Sequence, residues 1–225
     1  MAAINARKTA ASCIEFLKTQ TDTVVLFYSG GKDSLVLLDM LTPHFKVKLA
    51  FMYFVDELNH VEKYLKYAQH KYSVEYKKYP HWMVCQYYND NFYRFHSEKK
   101  VPNIKLIDIE NQARADFDCQ WIVSGIKKND SLNRRLMLGT YFMDCIDLKG
   151  HRAYPLSEWK KGDCLAYIKQ KRLPMPVQYA KTNSSGVDLK PEVLLWCKKH
   201  EPEDYAKIIK QFPFAETLII DNGNQ

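Results

Sequence analysis

Short apolar runs alternate with amphipathic stretches along most of this chain. An apolar run bounded by turn residues is typical of a buried strand, and apolar residues about three or four positions apart are typical of a helix. The predicted strands span residues 23–28, 47–55, 73–77, 120–124 and 152–155. The predicted helices span residues 3–20, 59–71, 108–118 and 157–170, with one ending near 41 and others starting near 191 and 202. This alternation predicts right-handed βαβ units and a parallel, doubly wound α/β sheet.

The same pattern predicts how the 225 residues are organised. We expect one α/β domain over residues 1–190 and a helical C-terminal extension over residues 191–225. The stretch 80–103 is irregular and rich in aromatic residues, so we expect an insertion or a flap there. Its aromatic part, residues 80–95, is a candidate dimer interface.

A glycine turn separates the first strand from the following helix. It comprises residues 29–34, Ser-Gly-Gly-Lys-Asp-Ser. Gly30 and Gly31 allow positive φ and close approach of the backbone to a ligand, and the helix N-terminus attracts anions. Lys32 adds a cation, and the two serines add hydroxyl groups. We therefore expect phosphate groups to bind at this glycine turn.

Charge and hydropathy narrow the class of protein only slightly. The formal net charge of +7 suits an anionic ligand, whether a nucleotide, a sulfated nucleotide or a nucleic acid. No apolar run reaches the length of a membrane span, and the first residues lack the apolar core of a secretory signal. We expect a cytoplasmic protein with no membrane partner.

The six cysteines form no Cys-x-x-Cys pair. Paired cysteines are typical of iron–sulfur and redox sites. We therefore expect buried thiols in a reducing compartment and no iron–sulfur cluster.

The glycine turn lacks the Walker spacing of Gly, four residues and Gly-Lys-Ser/Thr. It resembles instead the PP-loop of the ATP pyrophosphatase superfamily, whose domain is called adenine nucleotide alpha hydrolase-like. That resemblance implies a protein that cuts ATP between the α- and β-phosphates or binds a related adenylyl nucleotide.

Further segments resemble the phosphoadenylyl-sulfate (PAPS) reductase family, in the same order along the chain. They are Phe54-Val-Asp-Glu57, Gly125-Ile-Lys-Lys-Asn-Asp-Ser131 with Arg134, Tyr154-Pro-Leu-Ser-Glu-Trp-Lys-Lys-Gly-Asp163, Leu173-Pro-Met-Pro-Val-Gln-Tyr179 and Thr182-Asn-Ser-Ser-Gly186. Together with the glycine turn they extend the resemblance over roughly residues 24–186.

The chain also departs from that family. PAPS reductases carry a cysteine in a C-terminal tail, whereas no cysteine follows Cys197 here. Val187 stands where relatives often have cysteine, and Lys127 replaces the family's arginine. Lysine keeps the charge but loses the bidentate fork of arginine. The resemblance therefore implies a nucleotide-binding scaffold without the usual reductase cysteine.

The resemblance also assigns expected roles to individual residues. The backbone of Ser29, Gly30, Gly31, Lys32, Asp33 and Ser34 is expected to hold the phosphates. Lys32 is expected to neutralise them, and Asp33 either holds Mg²⁺ or caps the helix. Phe54, Val55 and Asp56 are expected to edge the adenine and ribose. Gly125 is expected to admit the nucleotide, with an anion clamp of Lys127, Lys128, Arg134 and Arg135. The expected catalytic residues are Lys32, Asp33 and Arg134.

Three functions remain open at this point. The first is an ATP pyrophosphatase that adenylates an acceptor in sulfur metabolism or nucleic-acid modification. The second is a PAPS or APS (adenylyl-sulfate) reductase that uses Cys197 or Cys164. The third is a noncatalytic nucleotide-binding subunit, like the small subunit of ATP sulfurylase. The expected ligands are ATP or PAPS/APS with Mg²⁺. A homodimer, a protein partner and a nucleic-acid partner are all consistent with the sequence.

Overall fold

The computed structural model describes residues 2–174 and 189–220 of the chain. The segments expected at 182–186 and over most of 173–179 lie outside the described residues, as does the end of the predicted extension. Within the described ranges a six-stranded sheet is flanked by helices.

The strands of the sheet are short and mostly parallel. They are β1 (Thr23–Phe27), β2 (Lys46–Tyr53), β3 (Glu75–Pro80), β4 (Ile122–Val123), β5 (Ile146–Asp147) and β6 (Arg152–Ala153). Their order is β3-β2-β1-β4-β6-β5, and only the pairing of β5 with β6 is antiparallel. The predicted α/β fold with a parallel sheet is thereby confirmed.

The helices in the described ranges surround this sheet. They are α1 (Ala2–Lys18), α2 (Lys32–Leu41), α3 (Asn59–Tyr72), α4 (Trp82–Asn89), α5 (Leu106–Phe117), α6 (Leu132–Gly139), α7 (Lys161–Lys171), α8 (Pro191–His200), α9 (Pro202–Gln211) and α10 (Thr217–Ile220), with a 3₁₀ turn at Pro213–Glu216.

Alternating side chains of β1 divide the core into two layers. Val24 and Leu26 point into the larger cluster, which α1, α2, α3 and α7 complete. Val25 points to the other face, where Ile109 and Ala113 of α5 cover it. This two-fold alternation is the pleat of a strand, and it fixes which helices flank each face.

Some boundaries differ from the sequence prediction. Strand β3 begins at Glu75 rather than residue 73, because Ser73 ends α3 with a left-handed φ of 52°. Helix α7 begins at Lys161 rather than residue 157, because Asp163 accepts a hydrogen bond from the Lys160 amide at 2.8 Å. The irregular stretch 80–103 contains helix α4.

The C-terminal helices pack into the larger cluster rather than standing apart from it. Phe212 is fully buried between the edges of Tyr87 and Tyr88. Asp204 of α9 is also fully buried and accepts a hydrogen bond from the His60 ring at 2.6 Å. Asp204 also accepts hydrogen bonds from the backbone amides of Asn59 and His60 at the start of α3. These contacts join α9 to the N-terminus of α3.

Candidate functional site

Two loops meet where the strand order of the sheet reverses. From β1 the chain proceeds outward through β2 and β3, whereas β4 lies on the other side of β1. In open parallel sheets, ligands bind beyond the carboxyl ends of the strands at such a switch point. The glycine turn follows β1 there, and the second loop, residues 125–131, follows β4.

The glycine turn is held open by its own backbone and hydroxyl groups. Gly30 has φ of +71°, which disfavours any residue with a side chain. The Ser34 hydroxyl donates to the Gly31 carbonyl at 3.0 Å, and Gly31 N–H faces the Ser29 hydroxyl at 3.4 Å. Among the described residues no side chain caps α2. The positive end of α2 therefore faces the turn with its amide groups available to an anion.

Asp33 is the charged centre of the turn. Its Oδ2 accepts hydrogen bonds from Lys32 Nζ at 2.8 Å and from Lys127 Nζ at 2.5 Å. Burial by itself raises the pKa of Asp33, but the two ammonium groups outweigh burial and hold its pKa below the usual value. Its Oδ1 is buried and accepts from no N–H or O–H group in the part of the chain described, and the Cys164 thiol lies beside the carboxylate.

The second loop connects Asp33 to Arg134. Asp130 accepts the Lys127 backbone amide at 3.0 Å and lies 3.5 Å from Lys127 Nζ. The same carboxylate accepts a hydrogen bond of 2.9 Å from Arg134 Nη1. Ser131 caps α6 by accepting the Arg134 amide at 3.2 Å. An alternating series of charges therefore runs from the glycine turn to α6.

Gly125 is the point of closest approach between the second loop and α2. A Cβ at this position would lie 3.0 Å from Asp33 Cβ and 3.7 Å from Leu37 Cδ1. The sequence predicted that the missing side chain admits a nucleotide. In the structure, its absence lets the second loop pack against the first turn of α2.

A cavity of about 890 Å³ opens between these two loops. Of the predicted site residues, five line it: Ser29, Asp33, Ser34, Gly125 and Arg134. Its remaining wall includes Phe27, Met52, Ile122, Ile126 and Met137, and its rim includes the exposed Leu106 and Ile107. The cavity thus has a polar end at the glycine turn and an apolar wall along the sheet, the character of a small-molecule site.

Other predicted site residues lie outside the cavity lining. Phe54 is buried and stacks on His81 with ring centroids 4.7 Å apart. Val55 is buried, and the Asp56 carboxylate accepts a hydrogen bond of 2.7 Å from Lys78 of β3. The roles predicted for these three residues at the adenine and ribose stay predictions.

Three basic residues of the predicted clamp also lie away from the lining, and one of them, Lys127, is paired with Asp33. Lys128 is paired with Asp144 at 2.8 Å and with Glu158. Arg135 is exposed on α6. Of the four clamp residues, only Arg134 lines the cavity.

The cavity contains charged residues that the sequence analysis missed. Glu110 of α5 is buried and accepts three hydrogen bonds of 2.5–3.1 Å from the Arg152 guanidinium of β6. Asp147 accepts the remaining arginine nitrogen at 2.9 Å. Tyr141 and Tyr154 stack beside them, with ring centroids 5.8 Å apart and planes 8° apart. The Glu110–Arg152 pair joins residues 42 positions apart, so no local sequence pattern predicts it.

The two cysteines considered for a reductase are both fully buried. Burial raises the pKa of the Cys164 thiol far above its usual range, and the neighbouring Asp33 charge raises it further. Burial raises the pKa of Cys197 to about 12, with help from Asp204 and Glu201. A thiol attacks as its thiolate, so both sites disfavour nucleophilic chemistry.

Comparisons with a family model, with curated proteins and with solved structures bear on this site. The phosphoadenosine phosphosulfate reductase domain model matches residues 23–185. No curated protein sequence matches the chain.

Across residues 2–174 and 189–220, no helix is long and apolar enough to cross a membrane.

Two solved structures share the fold at low sequence identity. A U34-tRNA thiolase from Methanococcus maripaludis, solved with its [4Fe-4S] cluster, is 14% identical with a TM-score of 0.52; the match covers 96% of this chain and 80% of the thiolase. A PAPS reductase from Candida auris, solved with phosphate, is 15% identical with a TM-score of 0.50; the match covers 77% of this chain and 87% of the reductase.

One expectation from the sequence is corrected by these comparisons. We expected no iron–sulfur cluster because the cysteines form no Cys-x-x-Cys pair. That expectation is wrong, because the thiolase of the same fold carries a [4Fe-4S] cluster and this chain has six buried cysteines. Cluster ligands are brought together by the fold, so their spacing along a sequence does not decide the question.

The family itself rests on the extent of the domain match, which spans both loops of the cavity and well over half of the chain. The predicted PP-loop resemblance is confirmed at the same time. The chain belongs to the phosphoadenosine phosphosulfate reductase domain family.

Proposed function

We propose that this protein binds ATP at the switch point and cleaves it between the α- and β-phosphates to adenylate an acceptor. The observation that carries this proposal is the cavity that the glycine turn and the second loop form together. The N-terminus of α2, which no side chain in the described ranges caps, and Arg134 support it as parts of one cavity of nucleotide size, and Lys32 is bonded to Asp33, which lines that cavity.

The glycine turn would hold the phosphates. Its amide groups and the positive end of α2 attract the negative charge, and the Lys32 ammonium would leave Asp33 for a phosphate oxygen. Lys32 does not line the cavity itself, but its ammonium lies 2.8 Å from Asp33 Oδ2, and Asp33 does line it. Arg134 lines the same cavity from α6. The apolar wall is suited to the adenine ring.

The residues present also fit a magnesium ion carried by the nucleotide. Mg²⁺ binds few protein oxygens and keeps water and phosphate ligands. Asp33 Oδ1, which accepts from no N–H or O–H group in the described ranges, would supply one such oxygen. The ion would neutralise phosphate charge when bound. Movement of Lys32 from Oδ2 to a phosphate would leave Lys127 as the ammonium partner of the carboxylate.

The reaction needs positioning and charge stabilisation more than a protein nucleophile. An acceptor oxygen attacks the α-phosphorus and forms a new P–O bond. The bond from the α-phosphorus to the bridging oxygen breaks, and pyrophosphate leaves with the electron pair. The proton of the acceptor passes to solvent. Lys32 and Arg134 would stabilise the charge that develops on the phosphate oxygens.

The acceptor is proposed to belong to sulfur metabolism or to a nucleic acid. The net charge of +7 supports an anionic acceptor. The thiolase that shares the fold acts on U34 of tRNA, which is a nucleic-acid acceptor in that protein. A reductase is less well supported here, because its two candidate thiols are buried with raised pKa values.

The test is to identify which bond is cut. Purified protein is incubated with Mg²⁺ and ATP labelled at the α- or the γ-phosphate, alone and with total RNA. The proposal predicts AMP or an adenylated product together with pyrophosphate, and their loss in Lys32→Ala. ADP and phosphate would contradict it. Sulfite release from PAPS with a dithiol would revive the reductase, and ATP binding without any turnover would favour the noncatalytic subunit.

A further inference from the structure

Lys127 differs from the other basic residues near the cavity because it is almost completely buried. It is 3% exposed, although a lysine rarely leaves solvent. Its ammonium lies 2.5 Å from Asp33 Oδ2 and 3.5 Å from Asp130 Oδ1. A buried ammonium needs such partners, since an unpaired charge away from water is very costly.

The position of Lys127 relative to the cavity is equally specific. Asp33, Asp130 and Arg134 all line the cavity, whereas Lys127 does not. Lys127 therefore lies behind the wall that its partners form. Its charge is taken up by two carboxylates from two different loops, and one of those carboxylates also holds the Arg134 guanidinium at 2.9 Å.

We propose that Lys127 is a positioning residue that sets the glycine turn and Arg134 at a fixed distance from each other. This role replaces the direct anion clamp that the sequence predicted for it. Lys127 would act on the nucleotide only through Asp33 at one end and through Asp130 and Arg134 at the other. The proposal rests on the proposed function, because it assigns the two loops to one nucleotide.

Lys127 is the buried member of this network: its side chain is 4% exposed, whereas those of Asp33 and Asp130 are 23% and 24% exposed and that of Arg134 is 48% exposed. Removing Lys127 takes away the cation that joins the two carboxylates, so each turns to its remaining partner or to water. Without Lys127, Asp33 keeps Lys32 as its ammonium partner, and this opposes the transfer of Lys32 to a phosphate. Asp130 would then be held mainly by Arg134. Both ends of the nucleotide site would lose their geometry together.

The first test needs no nucleotide. Amide hydrogen exchange is compared among wild type, Lys127→Met and the control Lys48→Met, which breaks an ion pair between β2 and β3 outside the cavity. We expect Lys127→Met to accelerate exchange over residues 29–34 and 126–134 together. The control should leave both segments unchanged. Faster exchange in only the 126–134 segment would overturn the proposed connection between the loops.

The second test is a double-mutant cycle on ATP affinity, measured by calorimetry with Mg²⁺. Lys127→Met and Arg134→Gln should each weaken binding by about tenfold or more, and the double variant should lose less affinity than the product of the two single losses, because part of the Lys127 effect passes through Arg134. Losses that multiply in full would show that Lys127 does not act through Arg134, and would overturn the proposal.

Asp130→Asn provides the same test if Lys127→Met does not fold. It removes the carboxylate that joins Lys127 to Arg134 while keeping the shape of the side chain. Its loss of ATP affinity should also be smaller in the Arg134→Gln background. If wild-type protein binds no ATP, the proposed function fails; the exchange experiment then still decides whether Lys127 connects the loops.

Discussion

Gly125→Ala tests whether the second loop packs against α2 as closely as the structure has it. The new Cβ would lie 3.0 Å from Asp33 Cβ, 3.6 Å from the Asp33 carbonyl carbon and 3.7 Å from Leu37 Cδ1. Carbon atoms pack best at about 3.5–4.0 Å, so the first contact is too short by about 0.5–1 Å. Gly125 does not have a left-handed φ, so alanine adds no backbone strain there.

The expected cost follows from this single overlap. Adding a methyl group to a packed site that must move typically costs about 1–3 kcal/mol. For a domain of this size, that loss lowers the melting temperature by about 2–12 °C. Because the displaced atom belongs to Asp33, ATP affinity should fall in the same variant.

The assay is thermal unfolding followed by circular dichroism, with Gly162→Ala as the matched control. Gly162 lies in α7, and a Cβ there meets nothing within 4 Å. Replacing a helical glycine that has room for a methyl group stabilises a protein by about 0.4–1 kcal/mol. The two substitutions should therefore shift the melting temperature in opposite directions. A Gly125→Ala protein as stable as wild type would refute the close packing of the second loop on α2.

Three further predictions address the phosphate site, the acid stability and the C-terminal helices. Lys32→Ala should weaken ATP binding, measured by calorimetry, by about tenfold to a hundredfold, because it removes a charge-assisted hydrogen bond to phosphate. The control is Lys46→Ala, which should leave the ATP affinity unchanged, because the Lys46 side chain is 76% exposed at the start of β2. Burial by itself raises the pKa of Asp204, but hydrogen bonds from His60 and Asn59 outweigh burial and hold its pKa below the usual value. The stability that Asp204 contributes is therefore present above pH ~4 and lost as the pH falls through the lowered native pKa. In urea unfolding, the advantage of wild type over Asp204→Asn should shrink on acidification, and a constant or growing advantage would contradict this. Phe212→Ala should lower the free energy of unfolding in urea by about 3–5 kcal/mol, because the ring is fully buried. A decrease below about 1 kcal/mol would show that the C-terminal helices add little to the stability of the core.

The sequence predicted the sheet and the glycine turn because both follow from local pattern. Strand β1 takes up residues 23–27 of the predicted apolar run 23–28, and its three central residues are buried. The turn after it contains a glycine with positive φ. Both features depend on a few adjacent residues, so a single sequence is enough to predict them.

The roles of charged residues could not be predicted in the same way. Lys127 and Lys128 are adjacent and chemically identical in sequence, yet one is buried behind the cavity and the other pairs with Asp144 and Glu158. Their environments are set by elements far apart along the chain. Sequence patterns at short range therefore identify a basic loop but not which lysine faces a ligand.

The contribution of the C-terminal helices was missed for a similar reason. His60 and Asp204 are 144 positions apart, and neither stands out in its own helix. Only the fold places the carboxylate over the first amides of α3. The predicted boundary at residue 190 stays a prediction, as do the homodimer and the protein or nucleic-acid partner.

Whether ATP binds at the switch point is best decided by a crystal structure of the protein with Mg²⁺ and the α,β-methylene analogue of ATP. We expect phosphate oxygens at the amides of residues 30–34, Lys32 moved from Asp33 to a phosphate, and the adenine along the apolar wall of the cavity. Nucleotide bound away from the two loops, for example in the groove of about 730 Å³ beside Asp39 and Tyr167, would contradict it.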